Sequence, residues 1–326
     1  MKRLICSLVT IAFSGSVMAN DADTEAYMRR VTEVKQQLSG LLTSDTNELA
    51  KAKEAVRESI TLNASKNDRD SQGYLRQIYA FGGTMIFRDP TMPLETKRAI
   101  VDILAEGGSA YWLAKVLGIT GREVLSDEAL DNIRKSFEEA ELPNRDMILL
   151  AYRAKLPNAT KRFEEISQMP IKGSGIPGIH KTVCTAWLVK AWDGDKPSLL
   201  RLLEYTREAV VTDRTTWIIG DLSTIHDLQC VEFLVQYLNS DEREPETRLA
   251  VPGTPVAAFA ASALYKMLVG FPEPTKLKYN SDEDLERCRE WIKQQEIFKF
   301  RKEPLTEEER QKTCRWIHQH DSLFWP

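Results

Sequence analysis

The chain has 326 residues, 42% hydrophobic and 28% charged, with a formal net charge of −4. That composition describes a folded protein and excludes an intrinsically disordered one, which lacks the apolar residues needed to offset the entropy of ordering. The acidic balance argues against nucleic acid or an anionic membrane surface as the main partner, since both are gripped through basic patches.

The first stretch reads as a targeting segment. Lys2-Arg3 is a short basic start, Leu4 to Phe13 a mostly apolar core, and Val17-Met18-Ala19 presents small and β-branched residues where a signal peptidase reads. Residues 1–19 are expected to be a signal peptide, cut between Ala19 and Asn20. The competing readings are a buried N-terminal helix and a membrane anchor; the apolar run falls short of the ~20 residues a span needs, so no stable membrane insertion is expected. Removal of Lys2 and Arg3 leaves 42 basic residues against 48 acidic, a net charge of −6. The expected location is the bacterial periplasm or the exterior.

Residues 20–108 form an N-terminal helical region. Thr24 to Leu42 carries Tyr27, Val31, Val34, Leu38 and Leu41-Leu42 on one stripe, the spacing of an amphipathic helix. Asp45 can cap a second helix to about Leu62. Asn63 to Gly73 is polar and turn-rich, and two further helices are expected over 74–88 and 94–106, the latter started by Pro93 and stopped by Gly107-Gly108.

From 109 to 326 helices are expected in pairs: 109–117 with 127–140, then 143–156 with 159–168. Val183 to Leu238 holds the clearest internal echo, with Thr185-Ala186-Trp187-Leu188 returning as Thr215-Thr216-Trp217-Ile218. Trp112, Leu149, Trp187, Trp217 and Leu264 fall at similar points of successive first helices, at spacings of 37, 38, 30 and 47. No run alternates strictly with β-branched enrichment. The expected fold is all-α, a right-handed α-solenoid of stacked antiparallel hairpins, because one hairpin cannot bury its own apolar stripe and must lean on the next. Two longer connections, Met169 to Ile179 and Asn239 to Pro255, interrupt the pattern and are expected at the rim.

The segment Pro143 to Val269 resembles HEAT-type and armadillo-like helical repeats. The resemblance is carried by Thr215 to Leu222, by Cys230-Val231-Glu232-Phe233-Leu234 and by Pro255 to Leu264. The 239–255 insertion and the lack of a regular repeat before Gly108 depart from the family pattern. The resemblance implies a curved scaffold that binds a protein or peptide partner on one face and implies no catalytic residues; together with the signal peptide, the expectation is an exported, non-enzymatic scaffold.

Gly173 to Gly178 has the letters of a dinucleotide loop, but a helix precedes it and Pro177 offers no N–H. Asp68 to Gly73 opens like a calcium loop, yet its twelfth position is Tyr79, which supplies no bidentate carboxylate. No triad context, HExxH or Walker loop occurs. His180/Cys184, His226/Cys230 and Cys314/His318 are each four apart, a spacing that puts two ligands on one helical face. They carry the alternative reading, a periplasmic metal-binding protein or metalloenzyme using zinc or copper. The cysteines have a structural use as well. Helices over 282–294 and 306–320 would set Cys288 opposite Cys314 in a capping hairpin, where a disulfide is worth about 2–4 kcal/mol. Trp325, in Leu323-Phe324-Trp325-Pro326, either folds back on the last helix or serves as a docking tail.

Overall fold

A computed structural model describes residues 93–106, 110–171, 178–243, 254–273 and 282–301, with isolated helical residues at 47, 48, 50, 51, 54 and 87. The expected signal peptide with Ala19 and Asn20, the 24–42 helix, the Asp45 cap, the 63–73 loop, and the 306–320 helix with Cys314, His318 and Trp325 all lie outside the described residues. So do residues 172–177 and 244–253 of the two long connections.

The fold is all-α. Among the described residues eleven helices with given bounds follow one another: α1 Leu94–Glu106, α2 Ala110–Thr120, α3 Asp127–Glu139, α4 Arg145–Ala154, α5 Ala159–Ser167, α6 Ile179–Trp192, α7 Lys196–Glu208, α8, α9 Leu228–Leu238, α10 Val256–Met267 and α11 Asp282–Gln294. Helix α8 has three parts, Val211–Asp213, a π-turn Arg214–Ile218 and Ile219–Leu222. A 3₁₀ turn, Arg122–Val124, joins α2 to α3. Among the described residues there is no strand, only the isolated bridges Arg243–Pro255 and Leu268–Phe300.

Local chemistry sets the helix ends. Pro93 precedes α1 and its carbonyl accepts the Lys97 N–H at 3.2 Å. Ser126 Oγ accepts from Ala129 N–H at 3.0 Å at the start of α3, and Asn144 Oδ1 from Met147 N–H at 3.0 Å at the start of α4. Each cap satisfies an otherwise orphaned N–H and is worth about 1 kcal/mol. Lys155, with φ 53°, closes α4 in the left-handed conformation.

The chain divides into two compact units, with the division between Val189 and Lys190 inside α6. In the unit up to Val189, α1 packs on α2 and α3, α2 on α4, and α3 on α4. Phe137 of α3 meets Phe163 of α5 edge-on at 6.0 Å. Trp187 of α6 donates its indole N–H to the Ser167 carbonyl at 2.8 Å. The unit from Lys190 onward follows the same rule. There α8 and α9 pack on α10, and α9 and α10 on α11. The Arg207 guanidinium of α7 lies 5.1 Å from the Phe233 ring of α9. Trp187 and Trp217, which a single continuous array would place on one spine, fall in different units.

Helix α3 is amphipathic and buries only Ala129, Ile133 and Phe137. Helix α10 is the opposite case: Val256, Ala257, Ala258, Ala260, Ala261, Ala263, Leu264, Tyr265 and Met267 are all buried. A helix apolar on every side must be enclosed by neighbours, and α8, α9 and α11 supply them. Among the described residues no helix is long and apolar enough to cross a membrane.

Phe233 is 2% exposed and is among the largest fully buried side chains. Phe233→Ala is expected to cost about 3–5 kcal/mol, read as a lower urea midpoint of the transition that contains α9. An unchanged midpoint would contradict the packing of α9 against α7 and α10.

A cleft framed by two helix turns

A concave site lies in the unit from Lys190 onward, where the α6–α7 turn faces the α8–α9 turn. The first turn is Asp193-Gly194-Asp195. Gly194 adopts φ 88°, a left-handed conformation that a residue with a Cβ adopts only at a cost. Its N–H donates to the Ala191 carbonyl and the Asp195 N–H to the Lys190 carbonyl, both at 3.0 Å. This pair of bonds is the Schellman closure of a helix. Asp195 then caps α7, its carboxylate accepting from Ser198 N–H at 3.0 Å, with Pro197 in the first helical turn. One residue thus ends the link from one helix and starts the next.

The second turn runs from Ser223 to Asp227. Asp227 caps α9, accepting from Gln229 N–H at 2.9 Å. Side chains fasten the two turns to each other. The Trp192 indole N–H donates to Thr224 Oγ1 at 2.8 Å, and Thr224 Oγ1 donates to the Asp221 carbonyl at 2.6 Å. Lys196 Nζ pairs with the Asp227 carboxylate, and Lys190 Nζ lies 3.6 Å from Asp195. Between them is a cleft of about 300 Å³ with Ala191, Leu199 and Ile225 among its lining and Trp192, Lys196 and His226 beside them. His226 is exposed, and its ring stacks on Phe300 at 5.6 Å and 17°. Phe300 is anchored in turn by Val269 N–H to the Lys299 carbonyl at 2.9 Å and Arg301 N–H to the Met267 carbonyl at 2.8 Å.

Both capping carboxyls sit below the usual carboxylate range. For Asp195 the largest cause is the hydrogen bond from Ser198, which outweighs partial burial and is helped by Lys190. For Asp227 burial is the largest single influence and pushes the carboxyl up. The hydrogen bonds from Lys196 and Gln229, with the Lys196 charge, together overcome it. Both groups are therefore ionised at neutral pH and engaged with cations, so the cleft mixes charged pairs with an apolar floor.

The sequence-predicted ligand pairs behave differently from their spacing. His226 lies in the turn before α9, because Asp227 takes the capping position, so His226 and Cys230 do not share a helical face. Cys230 points into the core, fully buried, and burial pushes its thiol up to about 12, with the Asp227 charge adding to the effect against Lys196. His180 and Cys184 do lie on one helix, α6, with His180 half-buried and Cys184 buried. That pair belongs to the other compact unit. Cys288 on α11 is buried and its thiol is raised to about 11, mainly by burial; Cys314, its expected disulfide partner, lies outside the described residues. Among the described residues no disulfide joins two cysteines, and no group of three His, Cys, Asp or Glu is placed to hold a metal ion.

No family model, curated protein or solved structure matches the chain. The cleft itself was only half visible in the sequence. Asp-Gly-Asp-Lys-Pro signals a helix stop followed at once by a cap and start, but nothing local announces that Trp192 reaches Thr224.

Two outcomes follow. A depressed carboxyl stabilises the fold above its unfolded pKa and loses that contribution as pH falls through the folded value. Asp227→Asn keeps the cap but removes the charge, so it should lower stability more at pH 7 than at acid pH, below the unfolded value of about 3.9. A loss of equal size at both pH values would contradict the electrostatic assignment. Pulse alkylation read by mass spectrometry should leave Cys230 unlabelled in the native protein and label it on unfolding, because the thiolate is the reactive form; rapid native labelling would refute its burial.

Proposed function

We propose that this chain is an exported, non-enzymatic binding module for a protein or peptide partner, built of stacked antiparallel helical hairpins like those of HEAT and armadillo repeats. The observation that carries the binding reading is the cleft between the α6–α7 and α8–α9 turns. It joins an apolar floor to an aromatic wall and exposed polar groups on Lys196, Thr224 and His226. Such a combination suits recognition of a side chain and its neighbouring backbone, and both turns are held rigidly enough to present it without reordering.

The stacked-hairpin reading is supported by which helices touch. In the first unit α1 meets α3 and α2 meets α4; in the second α8 meets α10 and α9 meets α11. In these pairs first helices meet first and second meet second, and the second helix of one hairpin also meets the first of the next, α3 on α4 and α9 on α10, as stacked hairpins allow. The export reading rests on residues 1–19. It predicts a mature N-terminus at Asn20, read by N-terminal sequencing of the protein from a periplasmic fraction; an intact Met1 there would overturn it.

The binding reading is tested by cross-linking and pull-down from the native envelope, comparing wild type with Trp192→Ala and His226→Glu. A specific partner should be retained by the wild type and reduced roughly tenfold in both variants, while Lys135→Glu in the other unit leaves it unchanged. A partner bound equally by all four proteins would remove the cleft from the account.

A further inference from the structure

Arg214 is a buried charged side chain at the centre of a many-partner contact. It opens the π-turn of α8 and is 8% exposed. Its Nη1 donates to Glu242 Oε2 at 2.7 Å and its Nη2 to Glu242 Oε1 at 2.8 Å, a two-pronged ion pair. Nη1 also reaches Tyr237 Oη at 3.3 Å, with the guanidinium 5.3 Å from the centre of that ring. Tyr237 Oη donates onward to the Thr206 carbonyl of α7 at 3.5 Å.

Glu242 is more than a counter-ion. Its backbone carbonyl accepts the Val256 N–H at 2.9 Å, and the neighbouring Arg243 forms a bridge with Pro255. These contacts close the stem of the 239–255 insertion at the first residue of α10. Glu242 therefore joins two things at once, Arg214 through its side chain and Val256 through its main chain. A π-turn adds a residue to a helical turn and is retained where the resulting displacement serves a specific contact. Here the turn begins at the residue that makes the ion pair.

We propose that Arg214 is a latch that fixes the stem of the 239–255 insertion, and with it the start of α10, to α8. Arg214 Nε is buried with no hydrogen-bond partner, so the guanidinium depends on Glu242 for its compensation. Removing the carboxylate leaves a buried cation without a counter-charge, which is costlier than removing both partners. The seat of the stem thus rests on this one ion pair, Arg214 with Glu242.

Hydrogen–deuterium exchange at the Val256 amide tests this on the full-length chain. Glu242→Gln should raise exchange at Val256 and the first turn of α10 by roughly tenfold, leaving the amides around Phe233 of α9 within about twofold of wild type. The double variant Arg214→Met with Glu242→Met removes the isolated charge and should fold at least as stably as Glu242→Gln, yet still exchange fast at Val256. Unchanged exchange at Val256 in both variants, or acceleration spread evenly over the whole unit, would overturn the latch.

Discussion

Two helices side by side cannot hide all of their apolar surface, and this limit organises the molecule. The hydrophobic effect rewards removal of that surface from water at about 25 cal/mol per Å², so each hairpin gains by lying on another. The consequence is clearest at α10. Its alanine-rich sequence lets α8 and α9 pack on it, and Leu264 and Met267 are enclosed with no exposure. At the other extreme α11 buries only Leu285 and Cys288 along its length, and Trp291 covers its flank by meeting Phe271 edge-on at 5.2 Å.

Several hydroxyls trapped by this packing bond back to their own helix. Thr185 and Thr206 are fully buried, and each donates its hydroxyl to the carbonyl four residues earlier, Lys181 at 2.6 Å and Leu202 at 2.6 Å. Thr215, the echo of Thr185, does the same to Val211 at 3.1 Å. The repeated Thr-x-Trp motif is therefore a repeated solution to one problem: a hydroxyl that returns to its own helix occupies a core position without seeking a distant partner. The two tryptophans diverge, since Trp187 donates to a carbonyl of α5 while Trp217 donates to Asp213 of its own helix at 3.2 Å.

Helix type and most boundaries were legible because their causes are local. The pattern over 282–294 and 127–140 reproduces α11 and, to one residue, α3, where apolar spacing and charged first turns act together. Gly194, Asp195 and Pro197 mark a stop, a cap and a start within four residues. What stayed hidden depends on partners distant in sequence. The π-turn at Arg214 has no local sequence signature, and the partner of its first residue, Glu242, lies 28 residues further along the chain. The separation of His226 from Cys230 was invisible to a four-residue spacing, which assumes a helix that in fact begins only after Asp227. The division inside α6 was hidden for a similar reason. Val183 to Val189 are all buried, so the segment shows no stripe and no break where one unit gives way to the other.

The central claim is that neighbouring helices share one another's apolar faces and so stand or fall together. Residue-resolved hydrogen exchange of Leu264→Ala measures it most directly. The account predicts that loss of this α10 side chain weakens protection in α8, α9 and α11 as well as in α10 itself. Protection lost in α10 alone, with its neighbours as slow as in the wild type, would contradict it.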